Sequence, residues 1–364
     1  MNVRTICNII EEVAPLSLQE SYDNAGLLVG NSQMEVSGIL ICIDITLEII
    51  NEAIQKKYNL IISHHPLIFK GLTRIIGQNE IECCVIAAIK NDVAIYAAHT
   101  NLDNVLNGVN GKIADKIGLI NQRILLPKQG SLLKLVTFVP KLHTYSVREA
   151  LFNAGAGKLG NYESCSFNSD GIGTFKPNEQ ALPFVGDINQ FHSEAETRIE
   201  VILPSFLKDK VLRALLKVHP YEETAYDFVP INNAWKEIGA GIIGELSIEE
   251  DEIDFLKRIK EIFNLPTIKH TQLLGHKIKR VALCGGSGSS LLKTALTEKA
   301  DIYLSGDFKY HDFFEAEKSI IIADIGHYES EQFTKEIFFE IITKKMTTFA
   351  VQISGINTNP INYL

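Results

Sequence analysis

The stretch IISHHPLIFKG, beginning at residue 61, sets His64 and His65 side by side after a short apolar run and directly before a proline. Neighbouring residues of a strand point to opposite faces, so one wall of a pocket rarely uses both. At a strand end, where Pro66 interrupts pairing, the two rings can converge. Six further residues of ligand type follow: His99, Asp103, Asp307, His311, His327 and Glu331. Neutral imidazole with carboxylate is the mixed N/O set that takes Zn, Mn, Fe, Co or Ni, and residue types alone do not choose among them. Three histidines and two carboxylates exceed what one tetrahedral catalytic ion uses. They suit two divalent ions sharing a bridging acid at about 3.5–4 Å. His99, Asp307 and His311 are the candidates for a supporting layer, and the choice of five among the eight is open at this point. The competing reading is structural. A single His near a strand end is usually no more than hydrogen-bonded, and a His-x-x-x-Glu pair at helical spacing can be a surface or capping pair. Two adjacent imidazoles weigh against it, because burying both without partners is costly.

The elements that must position these residues read as α/β. Residues 39–45 (ILICIDI) form a buried strand, 46–57 a helix, 59–63 a strand, 79–90 a helix and 93–98 (VAIYAA) a third strand leading into HTNLDN. Short apolar runs alternating with amphipathic segments are the mark of that class. The same order returns later: strand 280–284, helix 288–299, strand 301–305, helix 310–318 and strand 319–324, leading into IGHYESE. LIISHHP aligns with IYLSGDF, which sets Ser63 on Ser305 and the His pair on Gly306–Asp307. Each third strand is followed by a His with an acid four residues on, His99 with Asp103 and His327 with Glu331. A duplicated core of this kind brings equivalent strand ends to one cleft, where open α/β sheets bind ligands. Two units are too few for a solenoid.

Residues 128–232 differ in character. A strand (LLKLVTFVP), a helix (TYSVREALFNAG), a Gly- and Asn-rich middle with hairpin strands, a strand (TRIEVILP), a helix N-capped by Ser205 and a strand (TAYDFVPI) make two β-α-β units in series. That is the pattern of a ferredoxin-like α+β module, here inserted between core halves 1–127 and 233–364.

CGGSGSSLLKT, residues 284–294, resembles a phosphate loop, but Leu292 stands where a P-loop has glycine and Leu291 where the dinucleotide fingerprint has its third. What remains open is a helix N-terminus that helps hold an anionic substrate. At 364 residues with 46% hydrophobic and 22% charged, the chain is an ordinary globular protein of two or three domains. The net charge of −9 argues against nucleic acid and anionic membrane as partners. The six cysteines form no C-x-x-C pair and read as buried thiols of a reducing compartment. With no signal-peptide pattern and no window approaching a membrane span, the expected location is the cytoplasm.

SYDNAGLLVG, ISHHPLIF, AAHTNLDN, CGGSGSS and IGHYESE, in this order and over nearly the whole chain, resemble the NIF3-like proteins, also called the GTP cyclohydrolase 1 type 2 family. The inserted segment, ending in VHPYEETAYDFVPI, is similar to the PII/CutA-like domain of the longer bacterial members. The resemblance implies a pseudo-duplicated three-layer α/β core, a toroidal homohexamer and a dinuclear metal site with ligands at His64, His65, Asp103, His327 and Glu331. The first class of function this suggests is a metal-dependent hydrolase, of the kind the GTP cyclohydrolase label names, acting on a nucleotide or other small, anionic, phosphorylated substrate, with His99 or His311 moving the proton. The second class of function is a non-catalytic, metal-loaded scaffold or regulator whose inserted domain senses a ligand or gates the cavity.

Overall fold

The computed structural model describes residues 1–364, which form two compact units: Met1–Pro127 with Glu237–Leu364, and Lys128–Lys236. Along the first half of the larger unit run β1 (Gly26–Val29), β2 (Ile39–Cys42), β3 (Leu60–Ser63), β4 (Ala94–Ala97) and β5 (Leu119–Lys128). β2, β3 and β4 are parallel, with Cys42 level with Ser63 and Ser63 level with Ala97 at their C-terminal ends. β1 lies antiparallel beside β4. Every residue of β2, β3 and β4 is buried, as expected of parallel strands covered on both faces. Leu40, Ile61 and Ile95 pack on Ile49, Ile50 and Ala53 of helix Leu47–Gln55 and on Val85 and Ala88 of helix Glu80–Lys90. Each such side chain contributes about 1.5–3 kcal/mol of burial. The cap of helix Glu80–Lys90 also secures the segment that follows the paired histidines. Asn79 accepts the Glu82 amide at 2.9 Å, and Glu82 accepts the amides of Ile76 and Gln78, each at 3.0 Å.

The smaller unit carries β6 (Leu132–Pro140), helix Thr144–Asn153, β7 (Phe167–Phe175), β8 (His192–Pro204), helix Lys208–Val218 and β9 (Tyr226–Ile231). The sheet order is β7-β8-β6-β9, with every neighbouring pair antiparallel. Leu135, Val139, Ile199, Val201 and Leu203 meet Val147 and Leu151 of the first helix and Val211 and Leu215 of the second, so both helices cover one face. Ser205 does not cap the second helix: it opens a 3₁₀ turn, Ser205–Leu207, and the cap residue is Leu207, with no side-chain bond.

The chain continues through β10 (Trp235–Asp251), β11 (Lys269–His270), β12 (Lys277–Ser287), β13 (Ile302–Gly306), β14 (Ile321–Asp324) and β15 (Val351–Ile353). The second sheet of the larger unit is β11-β14-β13-β12-β10-β5, and the first is β1-β4-β3-β2-β15. β12, β13 and β14 are parallel, and β11 lies antiparallel beside β14, as β1 does beside β4. The chain leaves the two sheets alike: Ala98 N–H donates to Ser63 O at 3.1 Å and Ile325 N–H to Ser305 O at 2.8 Å. The helices expected at 288–299 and 310–318 are shorter. The first is a 3₁₀ turn followed by Leu292–Thr297, and the second a 3₁₀ turn, Asp312–Ala316, ended by Glu317 and Lys318 in the left-handed region. All six cysteines are free, but Cys83, Cys165 and Cys284 are only half-buried, unlike Cys7, Cys42 and Cys84. No helix is long and apolar enough to cross a membrane.

Candidate metal centre

β3 gives way to a bend at His64 and His65, and this bend resolves the adjacency of the two rings. Freed from strand alternation, they lie 4.9 Å apart between centroids, inclined at 44°. His99 follows β4 and opens the short helix Thr100–Asp103, and His327 and Glu331 span one turn of helix just after β14. Gly326, at φ +79°, makes the corner that turns β14 into that helix. The ends of parallel strands from both sheets thus face one cleft. His65 and His327, 262 residues apart, have Nε2 atoms 3.3 Å apart.

Glu331 occupies the middle. Its Oε1 lies 3.6 Å from His64 Nε2, and its Oε2 lies 3.0 Å from His65 Nε2 and 3.2 Å from His327 Nε2. Asp103 Oδ1 is 3.7 Å from His64 Nε2. His64 Nε2, Asp103 Oδ1 and Glu331 Oε2 are buried without a hydrogen-bond partner. Three such atoms at one place are what a fold leaves when a cation completes the site, because an unsatisfied buried polar atom otherwise costs about 1–3 kcal/mol. The donor atoms form two groups within 4.8 Å, His64 with His65 and His99, and His65 with His327 and Glu331. This mixed N/O set fits divalent transition ions.

Each ring is held from behind. His64 donates from Nδ1 to Ala98 O at 3.0 Å. The Nδ1 atoms of His65, His99 and His327 meet Asp44 at 2.7 Å, Asp23 at 2.8 Å and Asp307 at 2.7 Å. A carboxylate on Nδ1 fixes the tautomer and turns Nε2 toward the cleft, as the outer partners of metal-binding histidines do. Asp44 in turn accepts from the Thr358 hydroxyl at 2.7 Å, and Asp23 accepts from the Thr100 amide and hydroxyl. Asp44→Asn and Asp307→Asn are therefore expected to weaken metal binding by about 10–100-fold each without unfolding the chain. Calorimetric metal titration beside thermal melts checks this, and unchanged affinity in both variants would remove the orienting role.

The charges respond to one another. Burial would raise the Glu331 carboxyl, but His64, His327 and His65 outweigh it and hold it well below the usual range. Asp103 goes the opposite way, raised well above its ordinary value by burial and by the Glu331 charge. Burial lowers His64. It also opposes charge on His65 and His327, yet the carboxylates of Asp44 and Glu331 lift His65 to about 10, and those of Glu331 and Asp307 lift His327 to about 9. Asp23 is burdened by burial but held at about 2 by His99 and Thr100, so it is an anion at neutral pH.

The glycine-rich segment serves this centre in a way its pattern did not suggest. Gly285 and Gly286 lie just before the end of β12, and their amides are occupied: Gly285 N–H donates to Asn110 Oδ1 at 2.8 Å and Gly286 N–H to Ser330 Oγ at 2.9 Å. These amides are not open to a phosphate, and the helix beyond has six residues. A Cβ on Gly286, at φ +63°, would stand 2.2 Å from Glu331 Oε1. The glycine is there so that backbone can pass beside Glu331.

Of the residues singled out from sequence, His64, His65, His99, Asp103, His327 and Glu331 come together, and Asp307 stands behind His327. His311 does not join them. It is exposed on the loop after β13, where its ring meets Tyr310 and Phe314. Sequence reasoning missed Asp23, Asp44 and Thr358. The first two lay in the quoted stretches SYDNAG and ILICID without being read as ligand supports. Thr358 lies in the stretch NTNPINYL, which carries no ligand-type residue to draw notice.

The pattern of the family described as Duf34/NIF3 (NGG1p interacting factor 3) matches residues 1–360. The chain belongs to that family. Among curated members, the GTP cyclohydrolase 1 type 2 homolog of Halalkalibacterium halodurans is 39% identical over 368 residues, covering 100% of this chain and 99% of that protein. The homolog of Staphylococcus aureus is 36% identical with complete coverage of both. Among solved structures, a Bacillus cereus protein related to NIF3 superposes with a TM-score of 0.87 at 36% identity, covering 100% of this chain and 99% of that one. The mixed α/β architecture with several sheets is therefore that of the Duf34/NIF3 proteins, and the His/Glu cluster is a candidate metal site of a family member.

Proposed function

We propose that this Duf34/NIF3 protein binds two divalent ions through His64, His65, Asp103, His327 and Glu331 and hydrolyses a nucleotide or other small phosphorylated substrate. The observation that carries this reading is the set of buried, partnerless donor atoms ringed by carboxylate-oriented imidazoles. Ions held there would supply Lewis-acid polarisation of the substrate and acidify a water molecule. The chain's own part is positional and protonic. Asp44, Asp23 and Asp307 keep Nε2 of three rings facing the cleft, His65 belongs to both donor groups, and Glu331 faces His64, His65 and His327. In this reading His99, oriented by Asp23 and with its ring 5.2 Å from that of His64, holds or moves the proton, and His311, exposed beside Tyr310 and outside both donor groups, is not assigned the step. The homohexamer implied by family membership belongs to the same reading and is measured by light scattering.

The test is turnover of a panel of nucleotides and phosphoesters by metal-reconstituted protein, beside His65→Ala. Turnover in the wild type that falls by at least about 100-fold in the variant supports the hydrolase. No difference across the panel removes it. The smaller unit favours a regulatory reading in addition. Its strand order and antiparallel pairing are those of a ferredoxin-like module, which supports the PII/CutA-like assignment, and it encloses a cavity of its own.

A further inference from the structure

Side chains of β8 alternate, so Ile199, Val201 and Leu203 enter the helix-covered core while Glu196 and Arg198 emerge on the opposite face of the sheet. Two connections cross that open face, residues 176–191 after β7 and 219–225 before β9. The Leu182 N–H ties them together by donating to Glu222 Oε1 at 2.7 Å. Between sheet and connections lies a cavity of about 650 Å³, within the range of small-molecule sites.

Its walls are aromatic. The Phe175 and Phe184 rings stand 6.0 and 6.3 Å from that of Tyr221. Tyr221 is fixed from behind, since its N–H donates to His219 Nδ1 at 3.2 Å and the same imidazole donates from Nε2 to Phe138 O at 3.0 Å. The VHPYEE motif is thus the back of this pocket. The floor is glycine: Gly171 faces open space, and a Cβ on Gly173 would stand 2.1 Å from Glu196 Oε2. Glycines in a strand interior weaken it and mark a place where something approaches the backbone closely. Glu196 is 8% exposed. Tyr221 donates to its Oε1 at 2.8 Å, while Oε2 has no partner within the protein. The other charges of the lining are spoken for or sit at the rim. Arg198 pairs with Glu200 at 2.8 Å, Asp170 with Lys141 at 2.9 Å, and Lys176 and Glu223 are exposed.

A buried carboxylate with one free oxygen, beside three aromatic rings, is chemistry for a positive charge carried on a small organic frame. We propose that the smaller unit holds a binding site for a small organic cation, an amine or quaternary ammonium compound, seated between Phe175, Phe184 and Tyr221 with its charge on Glu196. All of the residues that line it belong to the smaller unit.

The full-length protein is titrated by calorimetry with choline and benzylamine, and with their neutral counterparts 3,3-dimethylbutanol and benzyl alcohol. At least one cation should saturate at millimolar concentration or below, and bind about tenfold or more tighter than its neutral counterpart, the discrimination that a desolvated positive charge against aromatic faces supplies. Glu196→Gln, in which an amide oxygen still receives the Tyr221 hydroxyl, should erase that preference. Gly171→Val, which fills the floor, should abolish binding with an unchanged thermal melt, and it carries the test if the first variant fails to fold. Equal binding of cation and neutral counterpart, no saturation by either cation, or preference for inorganic phosphate or a nucleotide would each overturn the proposal.

Discussion

Glu331→Gln is expected to empty the proposed metal centre while the fold survives. The substitution keeps shape and volume but removes the one charge that faces His64, His65 and His327 together. Amide oxygen is a poorer ligand than carboxylate, and the amide N–H₂ would point at imidazole nitrogens that are themselves ligands. Supporting partners of metal-binding histidines are worth about 10–100-fold in affinity, so loss of the central ligand should exceed about 100-fold. Metal content per chain after purification without chelators, measured by inductively coupled plasma mass spectrometry, reads this directly. Two-ion binding gives near two equivalents in the wild type and a fall in Glu331→Gln, with His65→Ala falling in parallel. Full metal content in both variants would sink the assignment, and so would a wild type that stays empty after reconstitution.

Gly306→Ala should cost both stability and metal, although alanine adds a single carbon. Gly306 ends β13 where three strand ends crowd together. An added Cβ would stand 2.8 Å from Gly326 C and His327 N and 2.9 Å from Gly286 O. All three are backbone atoms, so no side-chain rotation relieves the overlap. Overpacking of this kind costs about 1–3 kcal/mol. The strain falls on His327, one of the ring donors, and on Gly286, which passes beside Glu331. Gly71→Ala is the control, since nothing lies within 4 Å of the carbon it adds. The expected pattern is a lowered melting temperature and weakened metal binding for Gly306→Ala alone. Equal melts for the two variants would show that the strand ends can part without cost.

Both predictions concern the join between the two sheets, where local sequence and tertiary structure contribute unequally. The parallel strands were legible because ILIC, LIIS and AIYA are apolar runs, broken only by Ser63 at a strand end, and burial on both faces demands that composition. The His-x-x-x-acid pairs were legible for a related reason. Each follows a strand end directly, and spacing of four along one turn of helix places both side chains on one side. Helix lengths in the second half were not legible. Left-handed residues at Glu317 and Lys318 end a segment whose composition would have continued.

The scaffold and the ligand types were therefore determined by the sequence alone, since apolar periodicity and residue type act over a few neighbouring positions. Which acid stands behind which ring was decided only by the tertiary structure. Asp23 lies 76 residues from His99, Asp44 lies 21 from His65, and Thr358 reaches Asp44 across 314 residues. Likewise, His311 had the same claim as its neighbours until the fold left it exposed beside Tyr310. A hydrogen bond depends on separations of a few tenths of an ångström and on angle. No pattern along the chain carries those quantities; they exist only once the two sheets have brought their strand ends together.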